Sequence, residues 1–210
     1  MTSIKTLLII CIIVAISSCE TNKIADSRLE TFFLQDSLFS IDISVPIELD
    51  SFYTWIDSDD ISCGHLRKYR FSDSKYPIIK ESGFIHKTFP DSSYRLTFSH
   101  IDKYDCQDST WKVDLNELIK GYELKSKMDS VEFNVISSDK VEINGLTFDI
   151  LAFKTDLLPR QKYQSKLIWG FTKIGGIDLK VECECAGKTC DSFVEKMSKS
   201  LKTMRLTKKD

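Results

Sequence analysis

The stretch IGGIDLKVECECAGKTCDSFVEKMSKSLKTM, residues 174–204, carries two hydrophobic periods in succession. Ile177, Leu179, Val181, Cys183 and Cys185 alternate with Asp178, Lys180, Glu182 and Glu184. A period of two with one apolar and one charged face predicts a half-buried strand. Gly175-Gly176 ahead of it predicts a turn, because glycine takes positive φ at no steric cost. After AGKT the period becomes 3.6: Phe193, Val194, Met197, Leu201 and Met204 fall on one helical face, with Thr189 or Asp191 as candidate cap. A strand running straight into an amphipathic helix places that helix on the apolar side of a sheet.

Upstream, hairpins lead into this unit. Lys166–Lys173 reads as a strand, with Leu167, Trp169 and Phe171 on one face. Phe148, Ile150 and Ala152 alternate, preceded by Asn144-Gly145, a strong hairpin signal, and by Val141 and Ile143. Val131, Phe133 and Val135 suggest a further short strand. Before the meander, Asp114 with Glu117 resembles a capping box, and Leu115, Leu118, Ile119 and Tyr122 keep helical spacing. Tyr94, Leu96, Phe98 and His100 share a strand face, as do Phe39, Ile41, Ile43 and Val45 in a strand ended by Pro46. Residues 49–56 read as a short helix or an irregular turn, and residues 57–83 mostly as loop with one strand. Hairpins with helices set apart define an α+β domain built on an antiparallel sheet meander with flanking helices.

The strand ending in proline (FSIDISVP), the meander pieces VEINGLTFDIL and IGGIDLKVEC, and the closing FVEKMSKSLKTM resemble the PsbP-like / DcrB family over roughly residues 38–206. The resemblance implies a PsbP-like α/β/α sandwich and a role as adaptor, chaperone or assembly factor. It implies no catalytic residues. Residues 57–83, rich in aspartate and serine, depart from the family pattern.

At the other end, Lys5 precedes the apolar run Leu7–Ile16, followed by Ser17, Ser18 and Cys19. This is the layout of a secretory signal, and the run is too short for a bilayer span, which needs about 20 apolar residues. Ile16-Ser17-Ser18-Cys19 resembles the lipobox of bacterial lipoproteins. By that resemblance residues 1–18 are removed, Cys19 carries lipid, residues 19–28 are a polar tether, and residues 29–210 form one domain. The address implied is the cell envelope, lipid-anchored to a membrane and facing the periplasm or the exterior.

A chain of 210 residues has room for one real core. Its formal net charge of −2 argues against nucleic acid, which wants a basic face. With Cys11 in the signal and Cys19 on lipid, an odd number of cysteines remains: Cys63, Cys106, Cys183, Cys185 and Cys190. In an oxidising compartment this predicts disulfides and a leftover thiol. Cys185 with Cys190 is one candidate pair, Cys63 with Cys106 the other, leaving Cys183 buried as a small hydrophobe; sequence does not fix the connectivity.

No catalytic residue, metal site or cofactor is assigned. Cys63-Gly64-His65 is a single C-x-H where zinc needs three or four ligands. Asp57-Ser58-Asp59-Asp60 alternates carboxylates but has Ser62 and Lys68 where a calcium loop requires glycine and an acid. His86 has no evident partner, and His100 reads as a core histidine. Trp55 and Trp111, beside polar loops, are the candidate partner surface, since tryptophan is enriched at interfaces. The function expected is non-catalytic protein–protein contact at a membrane. The alternatives are a lipoprotein binding a small apolar ligand between helix and sheet, and a thiol- or metal-dependent enzyme using Cys63, His65 and the Cys183/Cys185 pair.

Overall fold

The computed structural model describes residues 26–35, 39–57, 66–75, 92–101, 114–129, 131–155, 165–187 and 190–208. Strand β9 (Ile177–Gly187) organises the rest. It pairs antiparallel with β8 (Ser165–Ile174) on one side and β5 (Ser92–Ile101) on the other. The full sheet has seven strands in the order β3-β4-β5-β9-β8-β7-β6, where β3 is Ser51–Asp57, β4 Leu66–Ser72, β6 Phe133–Ile143 and β7 Leu146–Thr155. Every neighbouring pair is antiparallel. The α+β class expected from the hairpin pattern is the class observed.

The turns follow from the residues at their tips. Asn144 and Gly145 sit at φ 48° and 83°, Gly175 and Gly176 at 55° and 88°. Two consecutive positive φ values match the right-handed twist of the flanking strands, which is why Asn-Gly and Gly-Gly belong there.

One face of this sheet, called inner here, carries the main core. Leu179, Val181, Cys183 and Cys185 of β9 pack there with Leu96 and Phe98 of β5 and Tyr69 and Phe71 of β4. The cover is a second sheet of three strands in the order β1-β2-β10, where β1 is Ser27–Phe33, β2 Phe39–Pro46 and β10 Arg205–Lys208, together with helix α2 (Cys190–Lys202). Strand β2 (Phe39–Pro46) drives Ile41, Ile43 and Val45 into the core, and β1 (Ser27–Phe33) adds Phe32, whose ring centroid lies 4.9 Å from that of Phe98. Helix α2 buries Phe193, Met197 and Leu201. Met204, beyond the helix end, is buried too, and its carbonyl accepts from Asn144 Nδ2 at 2.6 Å.

The outer face is covered over its β6–β8 half by helix α1 (Leu115–Asp129). Asp114 caps it, its Oδ1 accepting from the N–H of Asn116 at 2.8 Å and of Glu117 at 3.3 Å. Leu115, Leu118, Ile119 and Tyr122 lie over a small cluster of Leu151, Phe153, Leu167 and Trp169. None of the residues of α1 is fully buried, so this layer is held less firmly than α2.

Several expectations need correction. Residues 49–56 are neither helix nor irregular turn: Ser51–Asp57 is edge strand β3, with Phe52 centred 4.6 Å from Phe71. Strand β1 begins at Ser27, inside the stretch read as tether, and the Asp26 carbonyl accepts from Ile47 N–H at 3.0 Å. The two short strands read over 131–143 are one strand with an irregularity between Val135 and Ser137. Strand β10 (Arg205–Lys208) adds a short pairing with β2 that no apolar alternation announces.

Candidate functional site

The described cysteines all lie on β9 and α2. The residues that end the strand and begin the helix must meet on the inner face, and Cys185 and Cys190 do so as a disulfide with Cα atoms 5.5 Å apart. Both are buried. Cys183 is a buried free thiol, and burial pushes its pKa far above the ordinary thiol value. A thiolate is the reactive form, so this position is inert. With Cys185 oxidised, the Cys183/Cys185 pair is no dithiol. His100 does not approach it: His100 pairs with Leu179, four residues along β9 from Cys183.

His100 is a satisfied core group. The Gln35 N–H donates to Tyr69 Oη at 2.6 Å, and Tyr69 Oη lies 3.1 Å from His100 Nε2. His100 Nδ1 lies 3.2 Å from the Ile101 carbonyl. That carbonyl can only accept, so Nδ1 carries the proton and Nε2 accepts from the tyrosine. The chain of bonds ties β1, β4 and β5 together. Cys19, Cys63, His65, His86, Cys106 and Trp111 lie outside the described residues, as does the Asp57–Asp60 alternation apart from the backbone of Asp57. Among the described residues no three His, Cys, Asp or Glu side chains converge as metal ligands would.

The outer face holds what sequence reading missed. Over β6–β8 it is apolar under α1, but over β9, β5, β4 and β3 it is charged. Arg70 is buried and its Nε donates to Thr97 Oγ1 at 2.8 Å. The Arg70 guanidinium lies 5.0 Å from the Trp55 ring centroid, and Lys68 Nζ 5.6 Å from it. Arg95 Nη1 donates to Glu184 Oε2 at 3.4 Å, and Glu184 is only 5% exposed. Lys180 Nζ lies 4.1 Å from the Trp169 centroid and 2.7 Å from Glu182 Oε2. Burial pushes the Glu182 carboxyl up, but Lys180, Arg70 and Lys68 together hold it below its ordinary value. Burial also pushes up the Tyr122 phenol, aided by the charge of Glu182. Glu184 Oε1 and Trp169 Nε1 find no hydrogen-bond partner among the described residues.

The strand period did place Arg95, Glu182 and Glu184 on one face; it could not say that this face is withdrawn from water. Trp55, the described member of the expected tryptophan surface, is half-buried in this layer rather than displayed. His100 and Cys183 face the inner core and are not part of this layer.

At the end of the sheet where α1 begins lies an open groove of about 780 Å³, lined by Asp114, Asp149, Phe171, Lys173 and Asp178 among others. Two ion pairs cross its wall, Lys140 to Asp149 at 2.6 Å and Lys173 to Asp178 at 3.3 Å. Small-molecule pockets are mostly apolar with few polar groups, so this groove does not suit the apolar ligand considered above.

No protein-family model and no curated protein matches the sequence. Among solved structures, the chain is similar to the cyanobacterial PsbP protein CyanoP of Synechocystis, with 11% identity and a TM-score of 0.47 over 92% of this chain and 99% of that one. It is also similar to a Pseudomonas aeruginosa protein of unknown function, suggested to be a regulator, with 10% identity and a TM-score of 0.34 over 82% of this chain and 92% of that one. Such distant likenesses carry nothing about what this chain does.

Proposed function

We propose that this chain is a lipid-anchored cell-envelope protein that acts without chemistry of its own, as an adaptor, chaperone or assembly factor working through protein–protein contact. The anchoring part rests on Ile16-Ser17-Ser18-Cys19 behind its apolar run. The contact part rests on one observation. In α1, Leu124 is 61% and Met128 75% exposed, and Val135 and Ile136 of β6 are exposed as well. Leu124 and Met128 stand at i and i+4, on the side of α1 away from its packed stripe. Single exposed apolar residues are ordinary, but two neighbouring ones on the same helix face suit an interaction site, and methionine suits surfaces that must adapt to a partner.

The test is photo-crosslinking in the native membrane from a reactive residue placed at position 128. The expected result is an adduct with one defined protein that disappears when Leu124 is also changed to aspartate. Turnover of a substrate that is lost on changing one residue of the outer charged layer would sink the reading.

A further inference from the structure

The packed domain leaves a second set of apolar side chains exposed, on the side opposite α1. Strand β1 is an edge of the three-stranded sheet, and along its outer face Leu29 is 71% and Phe33 59% exposed. Four residues of strand separate them by about 13 Å. Between them lies Thr31, which pairs with Asp42 of β2, which in turn pairs with Arg205 of β10. Adjacent strands are about 4.8 Å apart, so Arg205 stands roughly 10 Å across the sheet from β1, level with the gap between the two apolar residues. Thr207 shares this face with Arg205, whereas Leu206 and Lys208 alternate to the core side of the sheet, Lys208 pairing with Phe39. The carboxylate on this face, Asp42, accepts from the hydroxyls of Thr31 at 2.6 Å and Thr207 at 3.3 Å.

The place of this face relative to the start of the domain narrows what can cover it. Strand β1 begins at Ser27. If Cys19 carries the lipid, the chain between them reaches at most about 28 Å when fully extended. A domain of this size is roughly 40 Å across, so the tether cannot carry it clear of the surface in every orientation. The strand that leaves the tether is the one that displays Leu29 and Phe33. A face whose exposed apolar side chains stand beside an arginine suits an interface of anionic lipid, where the apolar groups enter the headgroup region and the guanidinium meets the phosphates.

We propose that the outer face of the three-stranded sheet lies on an anionic lipid surface, with Leu29 and Phe33 in the headgroup region and Arg205 against the phosphates. This rests on the anchoring reading above. The domain is then oriented, with α1 turned away from the membrane.

The experiment uses the full chain, processed in a bacterial host, reconstituted into vesicles of phosphatidylethanolamine and phosphatidylglycerol. A photo-reactive phenylalanine analogue replaces Leu29, Phe33 or, as a control of similar exposure, Leu124. Intact mass reports acylation at Cys19, and crosslinked peptides report what each position touches. The expected result is an acylated chain with phospholipid adducts at 29 and 33, several-fold above those at 124, and reduced several-fold by Arg205→Glu. An acylated chain whose positions 29 and 33 stay silent, join protein instead of lipid, or give no more adduct than position 124 overturns this inference alone. A chain without the acyl mass overturns the anchoring reading, and the orientation with it.

Discussion

Replacing both Cys185 and Cys190 with alanine tests the junction on which the fold turns. The bond closes a loop of sequence separation 5 between the last residues of β9 and the first turn of α2. Loop-closure entropy for so short a loop is worth about 2 kcal/mol. Both residues are buried in the main core, so losing each sulfur removes packing comparable to a methylene, about 0.8 kcal/mol apiece. The sum is a loss of roughly 3.5 kcal/mol, or roughly 7–14 °C in Tm for a chain of this length. Thermal unfolding followed by far-UV circular dichroism reads it directly. Reductant added to the variant gives a second reading, since any further drop reports another bridge, the one expected between Cys63 and Cys106. A variant that melts within about 2 °C of the parent chain would refute the reasoning, because even the entropic part alone predicts more. So would peptide mapping that joins Cys185 to Cys183, its neighbour on the same strand face.

Three other perturbations have opposite or distinctive signs. Gly176→Ala forces a side chain into the left-handed region at φ 88° and should cost about 1–2 kcal/mol, whereas Gly121→Ala, in helix α1 with open space around its Cα, should gain about 1 kcal/mol; urea unfolding of the pair separates turn from helix. Tyr69→Phe removes the hydroxyl between Gln35 and His100 and leaves buried partners unmet, a loss of about 1–3 kcal/mol by the same assay. The Glu182 carboxyl, held below its ordinary 4.5 in the folded chain, adds stability that is present above pH 4.5 and is lost as the pH falls through the folded value. Stability should therefore decline less steeply on acidification in Glu182→Gln than in the parent, and equal slopes would show that Lys180, Arg70 and Lys68 do not hold the charge.

Where one apolar face meets one polar face, period alone was enough: β2, β5, β9 and both helices are legible in the sequence. It fails where both faces of a strand are large. In β3 the residues Phe52, Tyr53, Trp55 and Ile56 occupy both sides of an edge strand, and their spacing mimics one helical turn. It fails differently in β6. Phe133, Val141 and Ile143 share a parity, yet Phe133 packs under α1 while Val141 and Ile143 belong to the main core. The irregularity between Val135 and Ser137 causes this: an extra residue, Ile136, flips every later side chain to the other face. The Cys185–Cys190 pairing was readable because strand end and helix start must converge. The outer charged layer was not, because alternation assigns a side chain to a face and cannot say whether water reaches it.

The two exposed apolar groups have consequences for each other. The three-stranded sheet packs on the inner face of the seven-stranded sheet, and α1 packs on the outer face, so the β1 surface and the α1–β6 surface point in opposite directions. A face bearing Leu29, Phe33 and Arg205 suits a lipid surface, and a face bearing Leu124 and Met128 between balanced charges suits a protein. On a tether about 28 Å long at most, a domain held only by its lipid would present every side by turns. Contact by β1 and β10 with the headgroups removes that freedom and fixes α1 outward. A partner then meets an already oriented surface and pays less orientational entropy on binding. Weakening the lipid contact by Arg205→Glu should accordingly lower crosslinking from position 128 to its partner, although Arg205 and Met128 lie on opposite sides of the protein. Partner capture from position 128 that is indifferent to Arg205→Glu would separate the two surfaces and leave orientation without a role in recognition.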